Sequence, residues 1–433
     1  MKKNVETGSS VSSDFECREK LATTRKRLRI DYRVMATLLG LGPDGADMVK
    51  QWERGCGRIS PTKQRAIENL PDTIPFKDDR KKGSFQFIDL FAGIGGIRIP
   101  FQKFGGKCVF TAEIDKHSKV TYAANFGEVP QRNGDITKFT ASEIPDHDVL
   151  LAGFPCQAFS QAGRKQGFLD TRGTMFFEIQ RILAAHHPKA FLLENVKQLK
   201  GHNGGDTLKT IMAILRGEAS AEIPSDVMMS EEARASLGTH FDYDVDFEVL
   251  RARDFGVPQI RERIYIVGIR RDKGAPANHE RIKEMFGRII ENYQLKVPLK
   301  DILVDDPERT RDFTISDNLW TGHKERKERN RANGKGFGYS LFDRTSEYCS
   351  TMSARYYKDG SEILIDQSDL GRNPRKLLPE EARALQGFPE EFVIDRVGRS
   401  QLYKQFGNSV AVPVIRAIAS EMLREANIRT RKT

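Results

Sequence analysis

Between residues 18 and 70 the apolar positions recur at helical intervals: Leu21, Leu28, Val34, Met35, Leu38, Leu39, Val49, Trp52, Ile67 and Leu70. Glycines and Pro43 interrupt this pattern near 40–45. Ser60-Pro61 opens a further helix, the serine as N-cap and the proline at the first helical position. The spacing therefore predicts a small helical module over 18–70. Residues 1–17 are polar and Ser-rich and are expected to form a disordered lead-in. Residues 71–84, with prolines, charges and Gly83, read as a linker. From 85 the period changes. Short apolar runs appear at Phe85–Phe91, Cys108–Thr111, Val149–Leu151, Ala190–Leu193 and Ile264–Ile269, several of them separated by helical segments. That alternation predicts an α/β fold around a mostly parallel sheet. Over 272–345 the pattern dissolves into charged, Gly- and Asn-containing sequence. Short strands are expected within 346–366, and amphipathic helices return from 376.

Composition narrows the class. At 433 residues, two or three domains are expected. No apolar run approaches the roughly 18 residues of a membrane span, so no membrane partner is expected. No apolar stretch follows the N-terminal lysines, so a secretory leader is not expected either. The 5 cysteines are scattered and never in Cys-x-x-Cys spacing, which argues against a disulfide scaffold or a zinc module and for a reducing cytoplasm. The net charge of +10 is compatible with a polyanionic partner without requiring one.

Candidate chemistry lies at the ends of the predicted strands. Phe87–Leu90 runs into Phe91-Ala92-Gly93-Ile94-Gly95-Gly96, a glycine turn that suits close backbone approach to a ligand or simply a tight turn. It lacks the Gly-Lys-Ser/Thr ending of a phosphate-binding loop. The next strand ends at Glu113-Ile114-Asp115, where an acid commonly accepts ribose hydroxyls. Asp135 offers a second acceptor for a nucleoside. Pro155-Cys156 follows another strand, at the end where α/β ligand sites form, although a free cysteine is most often a small core residue. Glu194 ends a further apolar strand, where desolvation would keep it protonated. Arg261 and Arg263 precede Ile264–Ile269. A thiol, a proton donor and fixed cations suit attack on an electron-poor heterocycle.

These segments, in this order, resemble the motifs of the DNA (cytosine-5)-methyltransferases. The glycine turn is similar to their first motif, Gly153–Gln157 to the Pro-Cys motif, Glu194–Val196 to Glu-Asn-Val, and Gln259–Arg263 to Gln-x-Arg-x-Arg. Arg383–Pro389 and Gln405–Val410 resemble the ninth and tenth. The resemblance implies a Rossmann-like S-adenosylmethionine-dependent catalytic domain over 85–271 and 375–426, with a smaller target-recognition domain over 272–374. It implies double-stranded DNA as substrate, with the target cytosine flipped out of the helix. Cys156 would be the nucleophile, Glu194 the proton donor, and Arg263 and Arg261 the groups around the cytosine O2. Phe91, Gly93, Gly95, Glu113, Ile114, Asp135, Ile136, Pro155, Asn408 and Val410 would bind the cofactor, and no metal is implied. In the recognition region 323–339 is rich in Lys and Arg, as a solvated helix or as a phosphate-contacting one. Ser160, Gln161, Thr351, Arg355 and Lys358 are the expected DNA contacts. The segment 351–366 resembles that of Dcm-like enzymes acting on the inner cytosine of CCWGG or CCNGG.

Residues 20–70 resemble a phage-repressor helix-turn-helix, with Tyr32–Gly40 and Val49–Gly55 as its second and third helices. Such a module would repress the enzyme's own promoter, clamp DNA or simply pack. A monomer is expected, accompanied in a bacterium or phage by a cognate restriction endonuclease without a stable complex. Two other readings stay open: an RNA cytosine-5 methyltransferase, and a DNA-binding repressor with an inert catalytic domain.

Overall fold

The computed structural model describes residues 14–131, 134–155, 175–218, 229–336 and 338–431. Four helices come first: α1 (Asp14–Leu28), α2 (Tyr32–Leu38), α3 (Gly45–Glu53) and α4 (Pro61–Glu68). Then follow β1 (Phe85–Leu90), α5 (Arg98–Lys103), β2 (Gly106–Ala112), α6 (Lys116–Phe126), β3 (Val149–Gly153), α7 (Met175–His186), β4 (Ala190–Val196), α8 (Asp206–Arg216), α9 (Glu231–Ser236), β5 (Tyr243–Arg251) and β6 (Glu262–Arg270). The remainder comprises α10 (Glu280–Asn292), α11 (Pro307–Arg311), α12 (Asp317–Ala332), β7 (Leu341–Phe342), β8 (Leu364–Ile365), α13 (Pro379–Leu385), α14 (Arg399–Asn408) and α15 (Val412–Glu425). The chain divides into two units. The first is built from the segment ending at Asp79 together with Lys116–Val129 and Glu391–Val397; the second holds the rest.

In the first unit the helical spacing seen in the sequence becomes a core. Leu21, Leu28, Val34, Met35, Val49, Trp52 and Ile67 are buried together. Asp31 caps α2, its side chain accepting from the Val34 N–H at 2.8 Å, and Pro61 starts α4 behind Ser60. Two expectations need correction. Asp14–Cys17, assigned to a disordered lead-in, form the first turn of α1, because Cys17 packs beside Leu21 in that core. The expected linker is tethered along its first half: Ile74 joins the core, and the Phe76 ring lies 5.8 Å from Phe126 and 6.1 Å from Phe392.

The second unit is a six-stranded sheet in the order β2-β1-β3-β4-β6-β5. β2, β1, β3 and β4 are parallel, while β6 runs antiparallel to both β4 and β5. All five apolar runs read from the sequence are strands. β5 is the one that was not legible. It pairs with β6 along its whole length, but Asp244, Asp246 and Glu248 alternate along it and dilute the apolar signal. One face of the sheet, through Phe87, Leu151, Leu192 and Val267, packs against Met285 and Phe286 of α10 and Ile415, Ile418 and Met422 of α15. The other, through Ile88, Leu150 and Leu193, packs against Ile179, Ile182 and Leu183 of α7 and Ile211 of α8. The patternless stretch after 272 thus conceals an amphipathic helix, α10, docked on the sheet. Around 346–366, where short strands were expected, β8 is only two residues long, Cys349 makes an isolated bridge to Gln259, and the rest is turn and irregular backbone.

The strand order reverses beside β1, so the carboxyl ends of β1 and β3, paired at Leu90 and Ala152, flank a switch point. In open α/β sheets that crevice is where ligands bind.

Candidate active site

After β1 the backbone turns sharply. Phe91, Gly93 and Gly95 take φ of 56°, 55° and 84°. A non-glycine residue in this left-handed region is held there at a cost of about 1–2 kcal/mol. The Gly93 N–H donates to Glu113 Oε2 at 2.7 Å, and the Asp115 N–H donates to Oε1 at 2.6 Å. The carboxylate at the end of β2 is thereby fixed beneath the glycine turn. Among the described residues, a Cβ placed on Gly93 would meet nothing within 4 Å, so they leave space over the turn. Ile114, apolar yet 70% exposed, adjoins Glu113.

Gly134 lies against Glu113 so tightly that a Cβ there would sit 1.9 Å from the Glu113 carbonyl oxygen. This brings Asp135 to the same strand end, its Oδ1 accepting from the Thr137 N–H and hydroxyl at 3.1 and 2.7 Å. Ile136 beside it points into the core at 3% exposure. A Cβ on Gly96 would meet Ser409 Oγ at 2.8 Å and Val410 Cγ2 at 2.9 Å, so the segment after α14 closes on the turn. Asn408 is exposed at the last position of α14, and Val410 is buried.

Asp89, the penultimate residue of β1, is 1% exposed, and among the described residues neither carboxylate oxygen has a hydrogen-bond partner. Burial pushes its pKa up to about 7 against the nearby Arg98, and Glu113 adds to the rise. Space above a glycine turn, an exposed apolar side chain and a fixed strand-end acid suit a nucleoside cofactor.

The second cluster lies at the ends of β3 and β4. Glu194 pairs in register with Gly153, and a Cβ on Gly153 would come within 3.5 Å of Glu194 Oε2, so glycine leaves the carboxyl room. Arg263 reaches across from β6, its Nε 3.2 Å from Glu194 Oε1. Burial pushes the Glu194 pKa up, and Arg263 and then Arg261 oppose it. Asn195 donates from Nδ2 to the Phe154 carbonyl at 3.4 Å, bracing the strand that leads into Pro155. Cys156, Ser160 and Gln161 lie outside the described residues.

Arg261 is used differently from Arg263. Its guanidinium donates to the carbonyls of Met352 and Gly407, each at 3.1 Å, and to that of Ser409. Gln259 joins the same stitching, donating to the Leu385 carbonyl at 2.6 Å and accepting from the Met352 N–H at 3.4 Å. The Thr351 hydroxyl donates to the Ile260 carbonyl at 2.9 Å, against this loop. Arg355 and Lys358 are exposed on the turn that follows. Sequence reasoning did not assign roles to Asp89, Asn195 or Gln259; the available signal was a polar residue inside or beside an apolar strand. Among the described residues no group of three or more His, Cys, Asp or Glu could hold a metal, and no helix is long and apolar enough to cross a membrane.

Comparison with known proteins agrees with this geometry. The family described as C-5 cytosine-specific DNA methylase matches residues 85–218 and 235–424. The type II methyltransferase M1.ScrFI of Lactococcus lactis subsp. cremoris is 48% identical over 92% of this chain and 93% of its own. M.NlaX of Neisseria lactamica is 52% identical over 78% of this chain and 96% of its own. In fold, the crystal structure of S. pombe Dnmt2 methyltransferase superposes with a TM-score of 0.60 at 17% identity, covering 79% of this chain and 99% of that one. With its glycine turn, strand-end acids and Glu194–Arg263 pair on a sheet of that fold, the chain belongs to the C-5 cytosine-specific DNA methylase family.

Proposed function

We propose that this enzyme, a DNA (cytosine-5)-methyltransferase, acts on a flipped cytosine within a specific duplex sequence, through a covalent adduct on Cys156. The observation that carries the reading is the buried Glu194 carboxyl, 3.2 Å from Arg263, on the strand beside the one leading into Pro155-Cys156. Flipping takes the base out of the stack for a few kcal/mol. The Cys156 thiolate adds to carbon 6 while Glu194 gives its proton to ring nitrogen 3, leaving carbon 5 nucleophilic. Arg263 orients Glu194 and holds the O2 edge. Arg261 is a positioning residue, since its guanidinium holds three backbone carbonyls. S-adenosylmethionine, which methyltransferases of this kind use, supplies the methyl group from its sulfonium when bound. Water then takes the carbon 5 proton, the thiolate leaves as the ring's double bond re-forms, and ring nitrogen 3 returns its proton to Glu194.

Phe91, Gly93, Gly95, Glu113, Ile114 and Asp135 would hold the cofactor, with Pro155, Asn408 and Val410 closing its site. Ile136 would support that site from the core. Ser160, Gln161, Thr351, Arg355 and Lys358 would contact DNA, with the inner cytosine of CCWGG or CCNGG as the target. The type II names of the relatives support a restriction-modification role in a bacterial cytoplasm, as a monomer beside a separately acting endonuclease.

The test is expression in a host that lacks cytosine-5 methylation, followed by bisulfite sequencing, with Cys156→Ala as control. Methylation confined to one motif and lost in the control is the expected result. Methylation that persists in Cys156→Ala overturns the adduct, and a motif other than CCWGG or CCNGG overturns the target assignment. Covalent trapping on a 5-fluorocytosine RNA, and not on the matching duplex DNA, would establish RNA as the substrate.

A further inference from the structure

α12 is a sixteen-residue helix with one buried residue, His323, which is 2% exposed. Both of its ring nitrogens are engaged. Nδ1 lies 3.0 Å from Arg326 Nη2. A guanidinium can only donate, so Nδ1 must accept. The ring proton is therefore on Nε2, which donates to the Asp359 carbonyl at 3.3 Å. Arg326 also bonds Asp359 Oδ2 from Nη1 at 3.0 Å, and Asp359 Oδ1 accepts from the Ser361 N–H at 3.1 Å. From the other side, Lys376 Nζ donates to the carbonyls of Lys358 at 3.1 Å and Tyr357 at 3.4 Å.

The clamped segment is the turn 355–360, with Gly360 at φ 69°. It keeps Tyr356 buried, hydrogen-bonded to the Ile363 carbonyl and the Leu377 N–H, and presents Arg355, Tyr357 and Lys358 outward. The same helix braces a second segment. The Tyr339 ring lies 4.7 Å from Trp320 and 6.4 Å from His323, with Lys327 Nζ 4.2 Å above it. Ser340 donates to the Ser361 carbonyl at 2.9 Å, joining the two segments.

We propose that neutral His323, with Arg326 and Asp359, is a positioning residue for sequence recognition, fixing the Arg355–Lys358 turn against α12 so that those side chains meet base edges in one register. The inference rests on the reading of that turn as a DNA contact. Protonating His323 would put an N–H on Nδ1 facing the Arg326 guanidinium, cancelling one bond and adding repulsion. The charged groups facing the ring are Arg326 on its own helix, Asp359 on the turn and Lys376 behind it. Burial, reinforced by Arg326 and Lys376 and opposed by Asp359, lowers the pKa of His323. The neutral form therefore holds at neutral pH and is lost on the acid side.

The experiment compares cognate duplexes with duplexes carrying one substituted base pair, for the full chain and three variants. His323→Leu keeps the volume without the hydrogen bonds. It is expected to raise KM for DNA and reduce cognate discrimination about tenfold, kcat changing little. His323→Gln, which can accept from Arg326 and donate to the Asp359 carbonyl, is expected to restore both. As the pH falls below the ordinary histidine range, discrimination by the wild type should decline while that of His323→Gln stays flat; the ratio on one enzyme cancels titration of the chemistry. Wild-type discrimination in the Leu variant overturns the proposal. If that variant does not fold, parallel pH profiles for wild type and the Gln variant overturn it. Arg355→Ala is the third variant. Unchanged KM and discrimination there would overturn the DNA-contact reading itself; a loss there with no effect at His323 would overturn only the clamp.

Discussion

Glu194 is a residue on which burial and charge pull in opposite directions. Burial favours the proton, Arg263 the carboxylate, and burial prevails, so the pKa lies above the ordinary glutamate value. The donor form thus persists to higher pH than in an exposed glutamate, and turnover limited by it should fall as pH rises through the raised pKa. Glu194→Gln is expected to lower single-turnover methylation about 10²–10³-fold while leaving duplex binding unchanged in a gel-shift assay. A loss of binding equal to the loss of rate would contradict the role. Glu194 and Arg263 could be read from the chain because each sits at an apolar strand. The work of Arg261 could not, although it belongs to the same motif. Its three acceptors come from residues 91, 146 and 148 positions away, and no local pattern records them. Cys156 was legible as a residue type at a strand end and through its resemblance to the Pro-Cys motif, and Asp89 stood inside a run read as apolar.

At the scale of elements, legibility followed the continuity of the apolar run. The central strands read as unbroken apolar runs, whereas β5 carries acids at alternate positions, the buried Asp244 among them, and vanished into them. α10 was hidden in the same way, by the charged face opposite Ile282, Met285, Phe286 and Ile289. Joints between elements are less visible still. Glu381, fully buried in α13, accepts two bonds from Arg375 at 2.7 and 2.9 Å and one each from the N–H groups of Leu378 and Val304 at 2.7 and 2.8 Å. One carboxylate thus pins three segments. Glu381→Ala would strand the Arg375 charge in the interior and is expected to cost about 3–5 kcal/mol, read as a lowered denaturation midpoint. A change within the range of surface substitutions would show that the joint is dispensable.

At the scale of the molecule, the family match over 85–218 and 235–424 takes in most of the second unit and two pieces of the first, and the four N-terminal helices outside it raise a separate question. M1.ScrFI matches 92% of this chain, whereas M.NlaX reaches 78% with nearly all of its own length used. In the first unit Arg25 is held by Glu53 at 2.7 Å and lies over the Tyr32 ring at 4.1 Å, so it serves packing. On α3, Asp47, Met48 and Gln51 are exposed. If α3 is a recognition helix, Gln51→Glu should abolish gel-shift binding to the enzyme's own promoter fragment and leave methylation intact; unchanged binding would leave this unit a packing module. The first unit also borrows α6, from between β2 and β3, and Glu391–Val397, where Asn125 exchanges two hydrogen bonds with Val393 at 3.0 and 2.8 Å. The ribosome releases α1 to α4 first, yet their unit lacks its last pieces until every strand has emerged. Domains generally mature from the N-terminus as they are made. Here the part synthesised earliest is completed among the last.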